Sequence, residues 1–392
     1  MWDSSSGRVT TPIFYGPPRV VGPTKSKKGT TAMIHTIQVH TAPEYTVTIG
    51  PGLLKECGPR LREAVPLCHM AVITDSTVGP LYLETVKASL LEAGYQVSTY
   101  VFPAGEAHKN FNTLSSILEF LAEAQLTRTD CVAALGGGVT GDMAGLAAAL
   151  YLRGVKYVQL PTTLLSAVDS SVGGKTAIDL SAGKNLAGAF MQPSAVLCDT
   201  SCLGTLPPHV FADGAAEAIK TAVLSDGSLF HCMEDGGFRL LELAPVIAAC
   251  VQYKAGVVER DEKERGERKL LNLGHPGGHA IEKCSDFAVP HGHAVAAGLA
   301  VMARASSRLG WMLEDGINAR TAERICSTLA CMKLTVSTEY PPEALAQAAL
   351  SDKKRAGDSI TLVVPRGIAD CVLKTIPVSQ LQSVIEAGWA ME

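Results

Sequence analysis

The chain predicts an α/β domain with a parallel sheet, followed by a mainly α-helical half. Three observations carry this. Short β-branched runs alternate with segments of 3.6 periodicity up to about residue 208. A glycine loop follows one of those runs, and long alanine-rich helical stretches dominate afterwards. Strands that alternate with helices favour a parallel sheet covered on its faces, with a ligand crevice where the sheet meets its partner.

The elements follow in order. HTIQVHT (35–41) and YTVTIG (45–50) read as strands by their β-branched content. MAVITDSTV (70–78) is an apolar strand that runs into a helix N-cap, and LYLETVKASLLEAGY (81–95) has amphipathic helical spacing. QVSTYVF (96–102) is strand, TLSSILEFLAEAQ (113–125) is helix, and CVAALGGG (131–138) is a strand entering the glycine loop. KYVQLPTT (156–163) and AVLCDT (195–200) complete the strands of this half. Beyond it, GAAEAIKTAVL (214–224), LAPVIAACVQYKAGVVERDEKERG (243–266) and HAVAAGLAVMARASSRLG (293–310) predict long helices, with a strand signal returning at TLVVP (361–365). The domains are therefore placed at 33–207 and 208–392. Residues 1–32, rich in Pro, Ser, Thr, Gly and Lys, read as an unstructured or vector-derived extension, with Met33 the natural start.

Composition narrows the function. With 392 residues the chain exceeds the usual single core, and 47% hydrophobic residues supply ample interior. A formal charge of −4 gives no basic footprint for nucleic acid, and no apolar run reaches the roughly 18–20 residues of a membrane span. Eleven cysteines without a CxxC pair fit reduced, buried thiols of a cytoplasmic protein; Cys198 and Cys202 come nearest to ligand spacing.

Three clusters carry chemistry. In LGGGVTGD (135–142), Gly136, Gly138 and Gly141 satisfy GxGxxG between a strand and a helix, the setting in which backbone amides approach a pyrophosphate. Asp142, just inside that helix, opposes phosphate unless it points elsewhere. In VDSSVGGKTAIDLSAGKN (168–185), Asp169, Lys175, Lys184 and Asn185 sit among glycines, which suits an anionic ligand, and nearby Arg153 offers a guanidinium fork. Third, four of the ten histidines (His275, His279, His291 and His293) fall within one short window. Glu217, with Lys220 one turn on, could join two of them as a catalytic metal site; a surface Glu–Lys pair is the plainer reading. Spacing alone does not choose among the four histidines.

Taken together, GGGVTGD, LPTTLLSAVDSSVGGKTAID, GKN, GAAEAIK, LNLGH…GHAIE and HGHAV resemble the 3-dehydroquinate synthase family of sugar phosphate cyclases, in the same order from about Ile34 onward. The resemblance implies an NAD-binding α/β domain, a helical domain holding one divalent metal (zinc or cobalt), and a cytoplasmic homodimer of the shikimate pathway. It implies Glu217, His275 and His291 as metal ligands. Asp169, Lys175, Lys220, Lys254, Arg268, Asn272 and His279 are the implied catalytic residues. They line the substrate with Lys184, Asn185, Lys353 or Lys354, and Arg153 of the neighbouring subunit. For NAD it implies Asp75, Glu106, Lys109, Gly137, Gly138, Val139, Asp142, Thr162, Thr163, Asp169, Ser170, Lys175, Lys184, Thr205 and Leu206. The implied reaction takes 3-deoxy-D-arabino-heptulosonate 7-phosphate to 3-dehydroquinate and phosphate. It proceeds by transient oxidation, phosphate elimination, re-reduction and an intramolecular aldol.

The chain departs from the pattern at four places. The family commonly reads GHTFGHAIE, and here Pro276-Gly277 replaces Thr-Phe, which predicts looser metal binding. His209 and Val210 follow TLPP where Arg and Glu are frequent, removing one NAD contact. Thr77 stands where Asn is common, and His293 replaces the Glu of HGEAV and could compete as a ligand. The alternatives are another cyclase of the superfamily, a metal-dependent polyol dehydrogenase, or an inactive NAD-binding protein.

Overall fold

The computed structural model describes residues 33–313, 320–350, 355–356 and 358–390. The expectations for residues 1–32 and for Lys353 and Lys354 lie outside the described residues. The first half runs β1 (His35–Val39), β2 (Tyr45–Gly50), α1 (Cys57–Leu61), β3 (His69–Asp75), α2 (Gly79–Glu92), β4 (Gln96–Phe102), α3 (Phe111–Glu123), β5 (Cys131–Gly136), α4 (Gly138–Leu150), β6 (Lys156–Pro161), β7 (Lys175–Leu180), β8 (Gly183–Phe190) and β9 (Ala195–Asp199). Helices follow: α5 (Pro208–Ser225), α6 (Gly227–Met233), α7 (Leu243–Arg260), α8 (His275–Cys284), α9 (His291–Arg308), α10 (Thr321–Cys331) and α11 (Pro342–Leu350). The strands β10 (Arg355–Ala356), β11 (Ser359–Gly367) and β12 (Asp370–Pro377) precede α12 (Leu381–Gly388).

The main sheet has the order β1-β2-β9-β6-β5-β3-β4. Every pair in it is parallel except β1–β2, a hairpin at one edge. Its central strands are buried on both faces: all six residues of β5 are buried, as a parallel strand between helical layers requires. One face packs Val72, Leu135 and Leu160 against α1 and α2, and the other packs Ile73, Ala134 and Tyr157 against α3 and α4. Asp75, the glycine loop and Thr162 close three neighbouring strands at their carboxyl ends, where open α/β sheets bind ligands.

Two readings of the sequence need correction. The stretch 168–185, read as lysines set among glycines, runs into an antiparallel hairpin, β7–β8, that the strand reading does not include. Glycines and scattered lysines hide its weak strand pattern. The helix expected over 243–266 ends at Arg260, because the Asp261 carboxylate collects the amides of Arg265, Gly266 and Arg268 at 2.8, 2.7 and 3.0 Å. Those bonds replace helical ones and turn the chain back.

In the helical half, α9 is buried along most of its length. Ala294, Ala297 and Ala305 face α8 and the β11–β12 layer, while Ala296, Ala300 and Ala303 face the core shared with α5 and α7. Glycines set the crossing of α8 with α9. A Cβ on Gly298 would lie 2.1 Å from the Gly274 oxygen and 2.6 Å from the Gly278 nitrogen, and one on Gly277 would lie 3.1 Å from the Gly298 Cα. Pro276 stands in the first turn of α8, where its missing N–H interrupts no helical bond. The unusual Pro-Gly pair is thus accounted for: proline suits a helix start, and the backbone of α9 approaches Gly277 closely.

Gly298→Ala should therefore destabilise the protein by about 1–3 kcal/mol, because backbone must move to admit the methyl group. Gly204→Ala, with open space around it, should be nearly neutral. Denaturant midpoints of the two variants check this; equal midpoints would mean that α8 and α9 do not pack as described.

Candidate active site

The site grows from three helices. Glu217 lies midway along α5 with no solvent exposure of its carboxylate. His275 opens α8, and His291 opens α9. The Nε2 atoms of His275 and His291 lie 3.8 and 3.5 Å from Glu217 Oε1. Those separations exceed a direct hydrogen bond, but they approach the spacing of about 3.3 Å between two ligands of one tetrahedral ion. Neither oxygen of Glu217 receives a hydrogen bond; Lys220 ion-pairs with Oε2 from the next turn. A buried carboxylate with imidazole nitrogens converging on it is the donor chemistry of a divalent metal, and Glu217, His275 and His291 form such a group.

The other ring nitrogens fix the imidazoles. His275 Nδ1 is 3.2 Å from the Leu273 carbonyl oxygen, and His291 Nδ1 is 3.4 Å from Glu282 Oε1. A proton on each Nδ1 leaves Nε2 to face Glu217. Asp213, one turn before Glu217, takes the amides of Gly292 and His293 at 2.5 and 3.3 Å and seats the first turn of α9. His293, by contrast, turns its Nε2 to the His209 carbonyl oxygen at 3.4 Å. It belongs to no metal-holding group among the described residues, so the competition expected from it is not found. Two residues along a helix place side chains on different faces, and His291 already occupies the inward one.

Burial and charge oppose each other throughout. Burial raises the carboxyl of Glu217, yet the Lys220 ammonium holds it below its ordinary value. Burial likewise pushes Asp169 up, but Lys254, whose Nζ lies 2.8 Å from Oδ1, and Lys220 hold it below the carboxylate range. Lys254 itself is lowered by burial. Burial disfavours the His291 cation, and the carboxylates of Glu217 and Glu282 outweigh that, raising it to about 10.

Around this centre the structure brings together most of the expected cations. Arg268 is buried and donates to the Gly173 carbonyl oxygen at 2.9 Å, while its Nε makes no hydrogen bond. A Cβ on Gly173, at φ 95°, would meet the Arg268 guanidinium at 2.5 Å, so glycine is required there. Lys184, on β8, reaches Glu282 Oε1 at 2.8 Å and Glu106 at 3.6 Å. Lys175 pairs with Glu264, whose other oxygen accepts from Asn272 Nδ2 at 2.6 Å. His279, one turn beyond His275, stands with its ring 5.4 and 6.1 Å from those of His275 and His291. Arg153 is exposed at the turn after α4, with φ 68°.

At the sheet, Asp142 pairs with Lys109 at 2.6 Å, and Lys109 also donates to Asn185 Oδ1 at 2.5 Å. The repulsion expected from Asp142 is thereby neutralised. Asp75 Oδ1 takes the amides of Thr77 and Val78, and its Oδ2 accepts from Thr140 at 3.1 Å. Gly137 caps α4, and Cβ atoms at Gly137 and Gly138 would press on Thr163 and Ser170 at 3.0 and 3.1 Å. Thr162 Oγ1 is buried without a hydrogen bond. Bare backbone at a helix N-terminus with an unpartnered hydroxyl beside it fits a dinucleotide pyrophosphate. Thr205 bonds Tyr82 at 2.6 Å, with Leu206 adjoining it.

Residues 99–213 match the model of the 3-dehydroquinate synthase N-terminal domain, and residues 214–355 match that of the C-terminal domain. The chain belongs to the 3-dehydroquinate synthase family. It is 43% identical over 344 residues to the 3-dehydroquinate synthase of Pelobacter propionicus, covering 86% of this chain and 94% of that one. With the enzyme of Xanthomonas oryzae it shares 44% over 348 residues, covering 85% and 92%. Among solved structures, 2-epi-5-epi-valiolone synthase from Streptomyces hygroscopicus, with NAD+ and Zn2+ bound, aligns at TM-score 0.79 and 27% identity, covering 88% of this chain and 96% of that one. A 2-deoxy-scyllo-inosose synthase aligns at TM-score 0.77 and 23% identity over 90% of this chain and 99% of its own, a likeness of fold.

Three residues of this candidate site are not read from the sequence: Glu264, Glu282 and Asp213. Glu264 sits in the charged run DEKERGERK, which passes for a solvated helix end. Glu282 was detectable, since 275, 279 and 282 follow i, i+4, i+7 on one face of α8.

The raised His291 value has a measurable consequence. In the metal-free protein its proton stabilises the fold fully below about 6.5 and this contribution fades as pH rises through about 10. A metal must displace that proton. Zinc affinity should therefore climb by up to about tenfold per pH unit from pH ~7 to ~9. Chelator competition, corrected for the chelator's own protonation, checks it; a flat profile would contradict the arrangement.

Proposed function

We propose a residue-level assignment for 3-dehydroquinate synthesis by this chain, a lyase reaction of the shikimate pathway. The substrate is 3-deoxy-D-arabino-heptulosonate 7-phosphate, and the products are 3-dehydroquinate and phosphate. The observation that carries the assignment is the convergence of His275 Nε2 and His291 Nε2 on the buried Oε1 of Glu217.

Glu217, His275 and His291 would hold one divalent ion, which would supply Lewis acidity to the oxidation of a substrate alcohol. The Gly137–Gly138 loop, Thr162, Thr163 and Asp75 would hold NAD, which would supply hydride-transfer chemistry; Glu106, Val139, Ser170, Thr205 and Leu206 would complete its bed. Lys109 keeps Asp142 neutralised, so phosphate oxygens meet amides and not a free carboxylate. Arg268, Lys175, Lys184, Asn185, Lys220 and Lys254 gather around the substrate's carboxylate and phosphate. Glu264 orients Lys175 and Asn272 toward that space. Asp169 keeps the Lys254 ammonium placed through both its carboxylate and its carbonyl oxygen, at 2.8 and 2.7 Å. His279, whose ring stands 5.4 and 6.1 Å from those of His275 and His291, serves the proton transfers beside the metal.

The domains divide at 33–207 and 208–392, with the site between sheet and helices. The enzyme acts as a cytoplasmic homodimer in which Arg153 enters the neighbour's site. Supporting this, Arg153 sits beside Leu150 and Leu152, apolar residues 52% and 39% exposed. Among the described residues no helix is long and apolar enough to cross a membrane.

The test supplies the heptulosonate phosphate with NAD+ and zinc or cobalt, and follows phosphate and dehydroquinate together. Steady NADH accumulation without phosphate release would refute the assignment in favour of a dehydrogenase. His275→Ala should lose metal and turnover together. His279→Ala should keep its metal while turnover falls about 10²–10⁴-fold.

A further inference from the structure

Glu282 is the most constrained carboxylate near the site that the reaction itself does not use. It is buried, at 2% exposure, on the stripe of α8 that also carries His275 and His279. Its Oε1 receives Lys184 Nζ at 2.8 Å and lies 3.4 Å from His291 Nδ1, with Oε2 at 3.5 Å from the same nitrogen. One carboxylate therefore faces both an imidazole of the metal centre and a lysine delivered by the β7–β8 hairpin.

We propose that Glu282 is a positioning residue that fixes the ring of His291 for the metal and, through the same carboxylate, docks Lys184 beside it. The inference rests on Glu217, His275 and His291 being the ligands. A carboxylate on Nδ1 keeps the proton there and presents the Nε2 lone pair to the ion, raising the basicity of the ligand. Burial alone would favour the neutral acid of Glu282. His291 and Lys184 both face its carboxylate, at 3.4 and 2.8 Å.

Glu282, His279 and His291 also form a group with metal-holding geometry. Its carboxylate, however, already carries the Lys184 ammonium, which would repel a second cation at that place. The geometry thus assigns Glu282 to support of the first site.

The test measures zinc affinity directly, by chelator competition on the metal-stripped full chain, together with the visible spectrum of the cobalt form. Glu282→Ala should weaken zinc binding by about 10–100-fold and alter the cobalt bands. Glu282→Gln, nearly the same size and still able to accept one hydrogen bond, should fall between Ala and the parent; if Ala does not fold, Gln carries the test. Lys184→Met should not weaken zinc binding, since it removes a cation. Zinc affinity of folded Glu282→Ala and Glu282→Gln within twofold of the parent, with affinity lost in His275→Ala, would overturn the role of Glu282 alone. Zinc retained by His275→Ala would overturn the ligand set and this inference with it.

Discussion

A carboxylate without solvent, Glu217, is the constraint on which the rest of the site depends. Such a charge is tolerated only where neighbours of opposite sign are held in place, and removing one partner of a buried pair typically costs about 3–5 kcal/mol. Here Lys220 supplies one neighbour from the same helix, while α8 and α9 must each bring a histidine to the other oxygen. The packing of three helices is therefore coupled to the electrostatics of one side chain. Asp213 contributes from α5 by seating the start of α9, and a glycine crossing keeps α8 near it.

The same logic of shared charges extends outward. Asp169 bridges to Lys254, Glu264 to Lys175 and Asn272, Glu282 to Lys184 and His291, and Asp142 to Lys109. Lys254, Lys175 and Lys184, three of the cations proposed for the substrate, are each paired with an acidic side chain. Each pair holds its lysine in place by charge-assisted hydrogen bonding.

Much of this was legible in the sequence because the chemistry is written in short, local signals. The strand-to-helix passage at LGGGVTGD, the β-branched runs of the sheet and the histidine window each announce themselves within a few residues. What escaped depends on distant partners. The β7–β8 hairpin lacks alternation, so only its pairing reveals it. Glu264 turns inward because Asp261 stops α7, which no helical periodicity foretells. Ambiguity among the four histidines was resolved by direction: α8 and α9 aim His275 and His291 at Glu217, whereas His293 leaves the face. Pro276-Gly277 looked like damage in one dimension and becomes fitting once Gly298 is seen opposite.

That crossing has a consequence for variation among relatives. Position 276 lies in a first helical turn, where many residues and proline are equally at home, so it is open to drift. Position 298 faces backbone oxygen and nitrogen from the neighbouring helix and admits no atom beyond hydrogen. His275, at the start of α8, stays in place because one side of the joint is permissive and the other is closed. Tolerance here is directional: a substitution that thins α8 is absorbed, whereas one that thickens α9 is not.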